Sequence, residues 1–234
     1  MNSTTPPTMA SSAETPVDVK SRLKDSYDII ANDYNSWTNK HHDTIRLKFL
    51  DSLLSKLNTK EPTAVLELGC GGGKPVTTTL LTHPKMTVTA NDMSSTQISI
   101  AKSNIDPGTA DRVTFVEGDM MALSFPDGSL DAVLGFYSII HLPREEQPKL
   151  LENIIKWLKP GGYLLANFSA VDMPAASIPN WLHEKGWMFW SGWGEAGTLQ
   201  KLKDAKFEIV EQEVQKDTAD SGVFLWVIAR TPAN

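Results

Sequence analysis

The stretch Ala64-Val-Leu-Glu-Leu-Gly-Cys-Gly-Gly-Gly-Lys74 decides the fold of this chain. Its first five residues form a mostly apolar run that is typical of a buried strand, and four of the next five positions are glycine. A loop of this composition turns sharply and lets a ligand approach the backbone where a Cβ atom would clash. We therefore predict a strand, a glycine-rich loop and a ligand held against that loop.

The glycine spacing excludes two common nucleotide-binding loops. Residues 69–73 follow the pattern G-x-G-x-G, and Lys74 stands where a dinucleotide fingerprint has its last glycine. A phosphate-binding loop needs Ser or Thr directly after its lysine, but this chain has Pro75 there. What remains is a strand that carries an acid, Glu67, followed by a glycine loop without a Lys-Ser pair. This arrangement suits a nucleoside with a charged amino-acid tail and no phosphate.

The segment Glu67-Leu-Gly-Cys-Gly-Gly-Gly73 resembles the first motif of the class I S-adenosylmethionine-dependent methyltransferases. Further motifs of that family have counterparts in Asp92, in Asp119 and in the Pro-Gly-Gly at 160–162. The resemblance implies S-adenosylmethionine as cofactor. It also implies an α/β fold with a Rossmann-like, seven-stranded, mostly parallel sheet, helices on both faces, an antiparallel last strand and an N-terminal helical lid.

Asp92 is the second acid of the resemblance, 19 residues after Gly73 and at the end of the second predicted strand. A carboxylate in this position can accept hydrogen bonds from both ribose hydroxyls. The alternative is that Asp92 or Ser94 only caps the helix that begins near Ser95. Both roles are compatible, because a serine can cap the helix while Asp92 binds. Met93 is expected to lie against the adenine.

The third acid, Asp119, is expected to accept a hydrogen bond from the adenine amino group, with the Met120 amide at a ring nitrogen. A short helix over 75–82 is expected to turn its N-terminal amides toward the cofactor carboxylate. The full set of residues that the resemblance assigns to the cofactor is Tyr27, Tyr34, Glu67, Gly69, Cys70, Gly71, Asp92, Met93, Gln97, Asp119, Met120, Phe136 and Tyr137.

His141 ends the segment Phe136-Tyr-Ser-Ile-Ile-His141, which follows the fourth predicted strand. This segment should lie at the carboxyl edge of the sheet, where α/β proteins bind their ligands. A histidine with an ordinary pKa of about 6.5 suits general-base work at neutral pH. It could equally hold the loop by hydrogen bonds, and resembling enzymes often carry a histidine here with a packing role. His141 is the candidate catalytic residue, with both roles open.

The chain divides into three predicted parts. Residues 1–16 are rich in Ser, Thr, Pro and Ala and are expected to form a disordered tail. Residues 17–60 carry two apolar stripes at helical spacing and are expected to form a helical lid. In resembling enzymes, tyrosines of such a lid reach the cofactor or the substrate, and core packing is the alternative for Tyr27 and Tyr34. Residues 61–234 form the predicted methyltransferase domain.

Residues 170–194 hold four of the seven tryptophans of the chain without a clear helical or alternating period. Such a segment could be a satellite core under a long loop or the wall of an apolar substrate pocket. We favour a cap insertion over the active site, because in resembling methyltransferases insertions after the fifth strand cover the active site. A similar Met-Phe-Trp-Ser stretch in small-molecule members of that family adds support. The predicted substrate-binding residues are Trp37, His141, Trp181, Trp187, Trp190 and Trp193.

The composition limits the partners of the protein. A net charge of −6 argues against a nucleic-acid partner, because phosphate backbones require a basic surface. A single cysteine fits a reducing compartment, and neither a secretory signal nor a membrane-length apolar run is recognisable. The five histidines show no metal-ligand spacing. We therefore expect a cytoplasmic monomer or homodimer without a metal, a nucleic acid or a membrane anchor.

The predicted activity is transfer of a methyl group from S-adenosylmethionine to O, S or N of a small, aromatic or apolar metabolite, with S-adenosylhomocysteine as the other product. Secondary metabolism is the expected setting. Two alternatives stay open at this point. One is methylation of a protein side chain, and the other is a cofactor-binding subunit that no longer methylates.

Overall fold

The computed structural model describes residues 14–41, 43–217 and 222–233. Its helices are α1 (Val19–His41), α2 (Asp43–Leu54), α3 (Val76–Leu80), α4 (Ser95–Asn104), α5 (Glu146–Trp157) and α6 (Gly194–Asp204). Its strands are β1 (Thr63–Leu68), β2 (Met86–Asp92), β3 (Val113–Glu117), β4 (Leu130–Gly135), β5 (Leu158–Ser169), β6 (Asp172–Pro179), β7 (Trp187–Trp193), β8 (Glu208–Lys216) and β9 (Val223–Arg230). Of the predicted disordered tail, residues 1–13 lie outside the described part of the chain.

Seven strands form one sheet in the order β3-β2-β1-β4-β5-β9-β8. The first five strands of the chain pair in parallel, and β9 pairs antiparallel with both β5 and β8. The predicted fold is confirmed. Strand β5 begins at Leu158, ahead of the Pro-Gly-Gly at 160–162. Leu158 already pairs with Leu130, and the register shifts between Leu130 and Ala132 before regular pairing resumes.

Helices cover both faces of the sheet because the central strands are apolar on both sides. On β1, Val65 belongs to a core cluster shared with α2, and Leu66 belongs to a second cluster shared with α5. Asp131, at the start of β4, accepts a hydrogen bond from the Ala64 amide and pairs with Lys159. It therefore has a structural role.

The aromatic segment 170–194 contains regular structure, contrary to the prediction that no period orders it. Strands β6 and β7 form a separate antiparallel sheet, with Ile178 opposite Met188. The alternation is missing from the sequence because adjacent residues of β7 are both buried: Met188 and Phe189 are each 0% exposed. Helix α1 packs against β7 and supplies the cover for one of its faces.

Candidate active site

A cavity of about 940 Å³ lies at the carboxyl ends of β1, β2 and β4. Its wall comes from the glycine loop, the strand ends, the segment after β4 and the lid helices α1 and α2. All the residues that the sequence assigns to the cofactor line it: Tyr27, Tyr34, Glu67, Gly69, Cys70, Gly71, Asp92, Met93, Gln97, Asp119, Met120, Phe136 and Tyr137. We call it the larger cavity. The fold therefore brings the predicted cofactor residues together, and their binding role stays a prediction.

The glycine loop has glycine where the backbone requires it. Gly69 has φ of +71°, and a Cβ atom there would lie 2.4 Å from the Cβ of Ser138. Gly71 has φ of +52°, but a Cβ atom there would have no neighbour closer than 3.9 Å. Gly69 is thus needed for close packing against the segment after β4. Gly71 instead leaves space in front of the loop, where a ligand can approach the backbone.

Asp92 is held by two backbone amides at the end of β2. Its Oδ2 accepts a hydrogen bond from the Gly71 amide at 2.8 Å, and its Oδ1 accepts one from the Ser94 amide at 2.9 Å. Burial raises the pKa of Asp92 to about 6, although these hydrogen bonds oppose the shift. Ser94 caps α4 through its Oγ, which accepts from the Gln97 amide. Capping therefore falls to Ser94, and Asp92 lines the larger cavity.

Glu67 lies near the end of β1 and is only 3% exposed. Its Oε2 accepts a hydrogen bond from the Thr77 hydroxyl. Burial raises the pKa of Glu67 to about 8, and the Thr77 hydrogen bond and the charge of Arg46 oppose the shift. The side chain is therefore mostly protonated at neutral pH, which keeps an uncompensated negative charge out of the interior.

The helix after the glycine loop is shorter than the predicted helix over 75–82. Helix α3 has five residues and lacks a side-chain cap. Pro75 carries no amide hydrogen, and the amides of Thr78 and Thr79 donate to the carbonyl oxygens of Gly73 and Pro75. These donors are used within the loop and the helix itself. The amides at the very start of the helix belong to Val76 and Thr77, so the prediction that this helix N-terminus holds the cofactor carboxylate stays a prediction.

Asp119 caps a short 3-10 turn and contacts the lid. Its Oδ1 accepts from the Met121 amide, and its Oδ2 accepts from Nζ of Lys20 at 2.6 Å. Lys20 also pairs with Glu146 at 2.6 Å. The sequence analysis missed Lys20, because a lysine in an amphipathic helix looks like any solvated surface residue. In this conformation Asp119 would accept hydrogen bonds both from an adenine amino group and from Lys20 of the lid helix α1.

Helix α1 is also attached to α4. Asp28 accepts hydrogen bonds from the Ser94 hydroxyl at 2.6 Å and from the Thr96 amide at 3.1 Å. Asn35 donates from its Nδ2 to Oε1 of Gln97 at 2.9 Å. Neither Asp28 nor Asn35 carries a sequence signal that separates it from other polar helix residues. These contacts place α1 over the cavity, as the lid prediction requires.

A smaller cavity of about 330 Å³ adjoins the first. Four residues line both cavities: Tyr27, Tyr34, Tyr137 and His141. The remaining wall of the smaller cavity is formed by Trp37, Ile140, Trp181, Trp190, Asp217 and Phe224. The Trp181 ring lies 5.6 Å from that of Trp37 and 5.9 Å from that of Trp190, nearly perpendicular to both. The wall is therefore largely aromatic.

His141 stands where the two cavities meet, and its hydrogen bonds define its tautomer. Nδ1 lies 2.6 Å from the carbonyl oxygen of Phe189, which can only accept, so Nδ1 carries the proton. Nε2 lies 2.8 Å from the hydroxyl of Tyr27 and accepts from it. Burial lowers the pKa of His141 to about 4. The imidazole is therefore neutral at physiological pH, with its lone pair directed at Tyr27.

Two predicted substrate residues lie away from both cavities. Trp187 stacks under the guanidinium of Arg22 at 4.0 Å, and Trp193 donates from Nε1 to the Arg144 carbonyl oxygen. Along a strand, residues separated by an odd number of positions face opposite sides. Trp190 faces the smaller cavity, so Trp187 and Trp193 face the other side of β7. The structure does not bring these two residues to either cavity, and they instead fasten the hairpin to α1 and to the segment before α5.

Comparison with known proteins places this geometry in a family. Residues 65–162 match the family model described as a methyltransferase domain. A 27-O-demethylrifamycin SV methyltransferase from Amycolatopsis mediterranei is 31% identical over 137 residues, which cover 55% of this chain and 47% of that relative. The chain spans less than half the length of such curated relatives.

Solved structures share the architecture at low sequence identity. The 1,6-didemethyltoxoflavin-N1-methyltransferase of Burkholderia thailandensis, solved with its substrate and S-adenosylhomocysteine, has a TM-score of 0.70 at 20% identity, covering 97% of this chain and 94% of that one. The (4+2)-cyclase SpnF has a TM-score of 0.73 at 18% identity, covering 95% of this chain and 100% of that one.

The chain therefore has the class I S-adenosylmethionine-dependent methyltransferase fold, and its residues 65–162 match the methyltransferase domain model. The resemblance predicted from the glycine loop and the two acids is confirmed. Within the described residues, no helix is long and apolar enough to cross a membrane.

Proposed function

We propose that the protein is an enzyme that transfers the methyl group of S-adenosylmethionine to O, S or N of a small aromatic or apolar acceptor. The observation that carries this proposal is the junction of the two cavities at Tyr27, Tyr34, Tyr137 and His141. The larger cavity has the residues that suit the cofactor, and the smaller has an aromatic wall that suits an acceptor. Methyl transfer needs two such sites that share a boundary.

The residues of the larger cavity fit the cofactor by their chemistry. Asp92 offers carboxylate oxygens to the ribose hydroxyls, and the open space before Gly71 lets the amino-acid tail lie against the backbone. When bound, the cofactor supplies a methyl group that its positive sulfur has already activated. The protein then has to align the accepting atom with that methyl group at about 3 to 3.5 Å.

The acceptor side is lined by aromatic rings and leaves little for a strong base to do. The half-buried rings of Trp37, Trp181 and Trp190 form much of its wall, which suits a site that restricts water. His141 holds a lone pair at Nε2 but is a weak base, because burial lowers its pKa to about 4. Its hydrogen bond orients the Tyr27 hydroxyl at the boundary. A positioning role for His141 therefore fits better than proton abstraction, and it favours acceptors that are nucleophilic without a base.

The smaller cavity also bears on the alternatives. Its wall of bulky rings suits a compact acceptor better than a side chain that is part of a protein substrate. One structure with this fold is named as a cyclase, so the fold also occurs in a protein named for a reaction other than methyl transfer. A fold does not fix an activity, so turnover has to be measured. The cytoplasmic location, the monomer or homodimer state and the absence of a nucleic-acid partner stay predictions.

Isothermal titration of the purified protein with S-adenosylmethionine and S-adenosylhomocysteine tests the cofactor site. We expect micromolar binding that Asp92→Ala weakens by about ten-fold or more, since two ribose hydrogen bonds to a carboxylate are lost. A panel of aromatic hydroxyls, thiols and amines, assayed for methylated product by mass spectrometry, then tests transfer. Absence of binding to either nucleoside would contradict the proposal. Tight binding without any product across a broad panel would favour the non-catalytic alternative.

A further inference from the structure

We propose that Arg46 of the lid helix α2 binds the carboxylate of the cofactor's amino-acid tail, and so attaches the lid to the bound cofactor. The inference rests on the cofactor assignment above and adds a residue that no sequence motif identifies. Helix α2 otherwise contributes apolar side chains such as Phe49, Leu50 and Leu53 to the core. Arg46 differs from its neighbours because its charged side chain is buried and lines the larger cavity.

The amino-acid tail of the cofactor carries a carboxylate that has to lose water when it enters a buried site. Such a charge requires a cationic or strongly hydrogen-bonding partner, because burial without one is costly. Helix α3 after the glycine loop has only five residues, and the preceding Pro75 has no amide hydrogen, so its N-terminus can supply only part of that stabilisation. The partner therefore has to be sought among the side chains.

Three Lys or Arg side chains occur in the described lining of the larger cavity: Lys20, Arg46 and Lys74. Lys20 is engaged by Asp119 and Glu146, at the end of the cavity where the adenine is expected. Lys74 is exposed to solvent. Arg46 is only 8% exposed, so its charge acts in surroundings of low polarity. It is the cation best placed to select a buried anion.

The position of Arg46 agrees with the methionine end of the site. Burial raises the pKa of Glu67 and of Tyr34, and the charge of Arg46 opposes both shifts. Arg46 is therefore electrostatically close to a residue at the base of the glycine loop and to one at the junction of the cavities. A guanidinium has five N–H donors in a planar fork that matches a carboxylate. It can bind the tail in addition to the contacts it already makes within the protein.

The test compares two ligands that differ in the tail. S-adenosylhomocysteine carries the carboxylate, and 5′-methylthioadenosine has the same nucleoside and sulfur without the amino-acid group. Both are titrated into the wild type, Arg46→Gln, Arg46→Lys and Arg22→Gln. Arg22 serves as the matched control, because it is also an arginine of the lid but stacks on Trp187 outside the cavity. Thermal unfolding of each variant without ligand checks that it is folded.

We expect Arg46→Gln to weaken S-adenosylhomocysteine by at least ten-fold and to change 5′-methylthioadenosine by less than two-fold. Arg46→Lys should recover part of the loss, and Arg22→Gln should bind both ligands like the wild type. Unchanged binding of S-adenosylhomocysteine to Arg46→Gln would overturn the inference. An equal loss for both ligands would also overturn it, since that result indicates a structural role. Failure of the wild type to bind either ligand would instead refute the cofactor site itself.

Discussion

The two cavities are built from different parts of the chain. The larger one is shaped by backbone: Gly69 packs on Ser138, and two amides hold Asp92. The smaller one is shaped by side chains from separate segments, including Trp37 of α1 and Trp190 of β7. Backbone geometry changes only when the fold changes, whereas side chains are replaced one at a time. Substitutions that alter the larger cavity should therefore rarely be tolerated. Substitutions in the smaller cavity should change which acceptor binds without disturbing the sheet.

The largest effect should come from Gly69→Ala. A Cβ atom at Gly69 meets Ser138 at 2.4 Å and also forces alanine to φ of +71°. Gly128→Ala is a matched control, because φ is +64° there and nothing lies within 4 Å of the added atom. Both variants carry the left-handed strain of about 1–2 kcal/mol. Only Gly69→Ala should weaken S-adenosylhomocysteine, by about 100-fold or more, measured by calorimetry. Equal binding in the two variants would show that close packing at Gly69 is unimportant.

The acceptor wall should respond without any change at the cofactor site. Trp190→Leu removes an aromatic contact surface from the smaller cavity, and we expect about 30-fold lower kcat/KM for an acceptor found in the panel. Binding of S-adenosylhomocysteine should change by less than two-fold. Trp193→Leu is the control on the opposite face of β7. If Trp193→Leu lowers kcat/KM as much as Trp190→Leu, the assignment of faces is wrong.

Cofactor binding should depend on pH through Asp92. Its carboxyl group has a pKa of about 6 in the unliganded protein, and ribose hydroxyls bind the ionised form. Affinity for S-adenosylhomocysteine should therefore fall by about ten-fold between pH 7 and pH 5. Asp92→Asn should bind more weakly at pH 7 and lose this dependence. A wild-type affinity that is flat over the same range would contradict the assignment.

The same pKa has a consequence for stability. The folded pKa of Asp92 is raised from 3.8 to about 6, so the folded protein keeps a proton that the unfolded chain releases between these values. The contribution of Asp92 to the free energy of unfolding therefore decreases as pH rises through this window. Denaturant titrations of the wild type and Asp92→Asn at pH 4 and pH 6 measure it. The free energy of unfolding of the wild type, relative to that of Asp92→Asn, should be lower at pH 6 than at pH 4.

The smallest effect should come from His141. His141→Asn can keep the hydrogen bond to the Phe189 carbonyl but loses the acceptor for Tyr27. We expect kcat to fall by about three- to five-fold, with no new dependence on pH between 5.5 and 8, whereas loss of a general base costs about 100-fold or more. His141→Gln, which can restore an acceptor for Tyr27, should recover part of the rate. A loss of 100-fold in His141→Asn would establish proton abstraction instead.

The sequence predicts the larger cavity well for a physical reason. Each of its main features, the glycine loop, Asp92 and Asp119, sits at the end of a strand, and parallel strands bring their carboxyl ends to one edge. Local spacing in the sequence therefore determines the spatial arrangement. The antiparallel closure of the sheet by β9 is implied instead by the resemblance to the methyltransferase family.

The lid and the acceptor wall could be predicted only in part. Lys20, Asn35 and Arg46 act through contacts with residues far away in the chain, and their own neighbourhoods look like ordinary helix surface. In β7, burial of both faces removed the alternation that would have separated Trp190 from Trp193. Such features follow from packing between segments, which a single sequence does not specify.

The most direct test of the account is a crystal structure of the complex with S-adenosylhomocysteine. We expect the ribose hydroxyls to lie within hydrogen-bond distance of Asp92. We also expect the sulfur atom to lie at the junction of the two cavities, against Tyr27, Tyr137 and His141. A nucleoside bound elsewhere, or a sulfur atom turned away from the smaller cavity, would contradict the assignment of one cavity to the cofactor and the other to the acceptor.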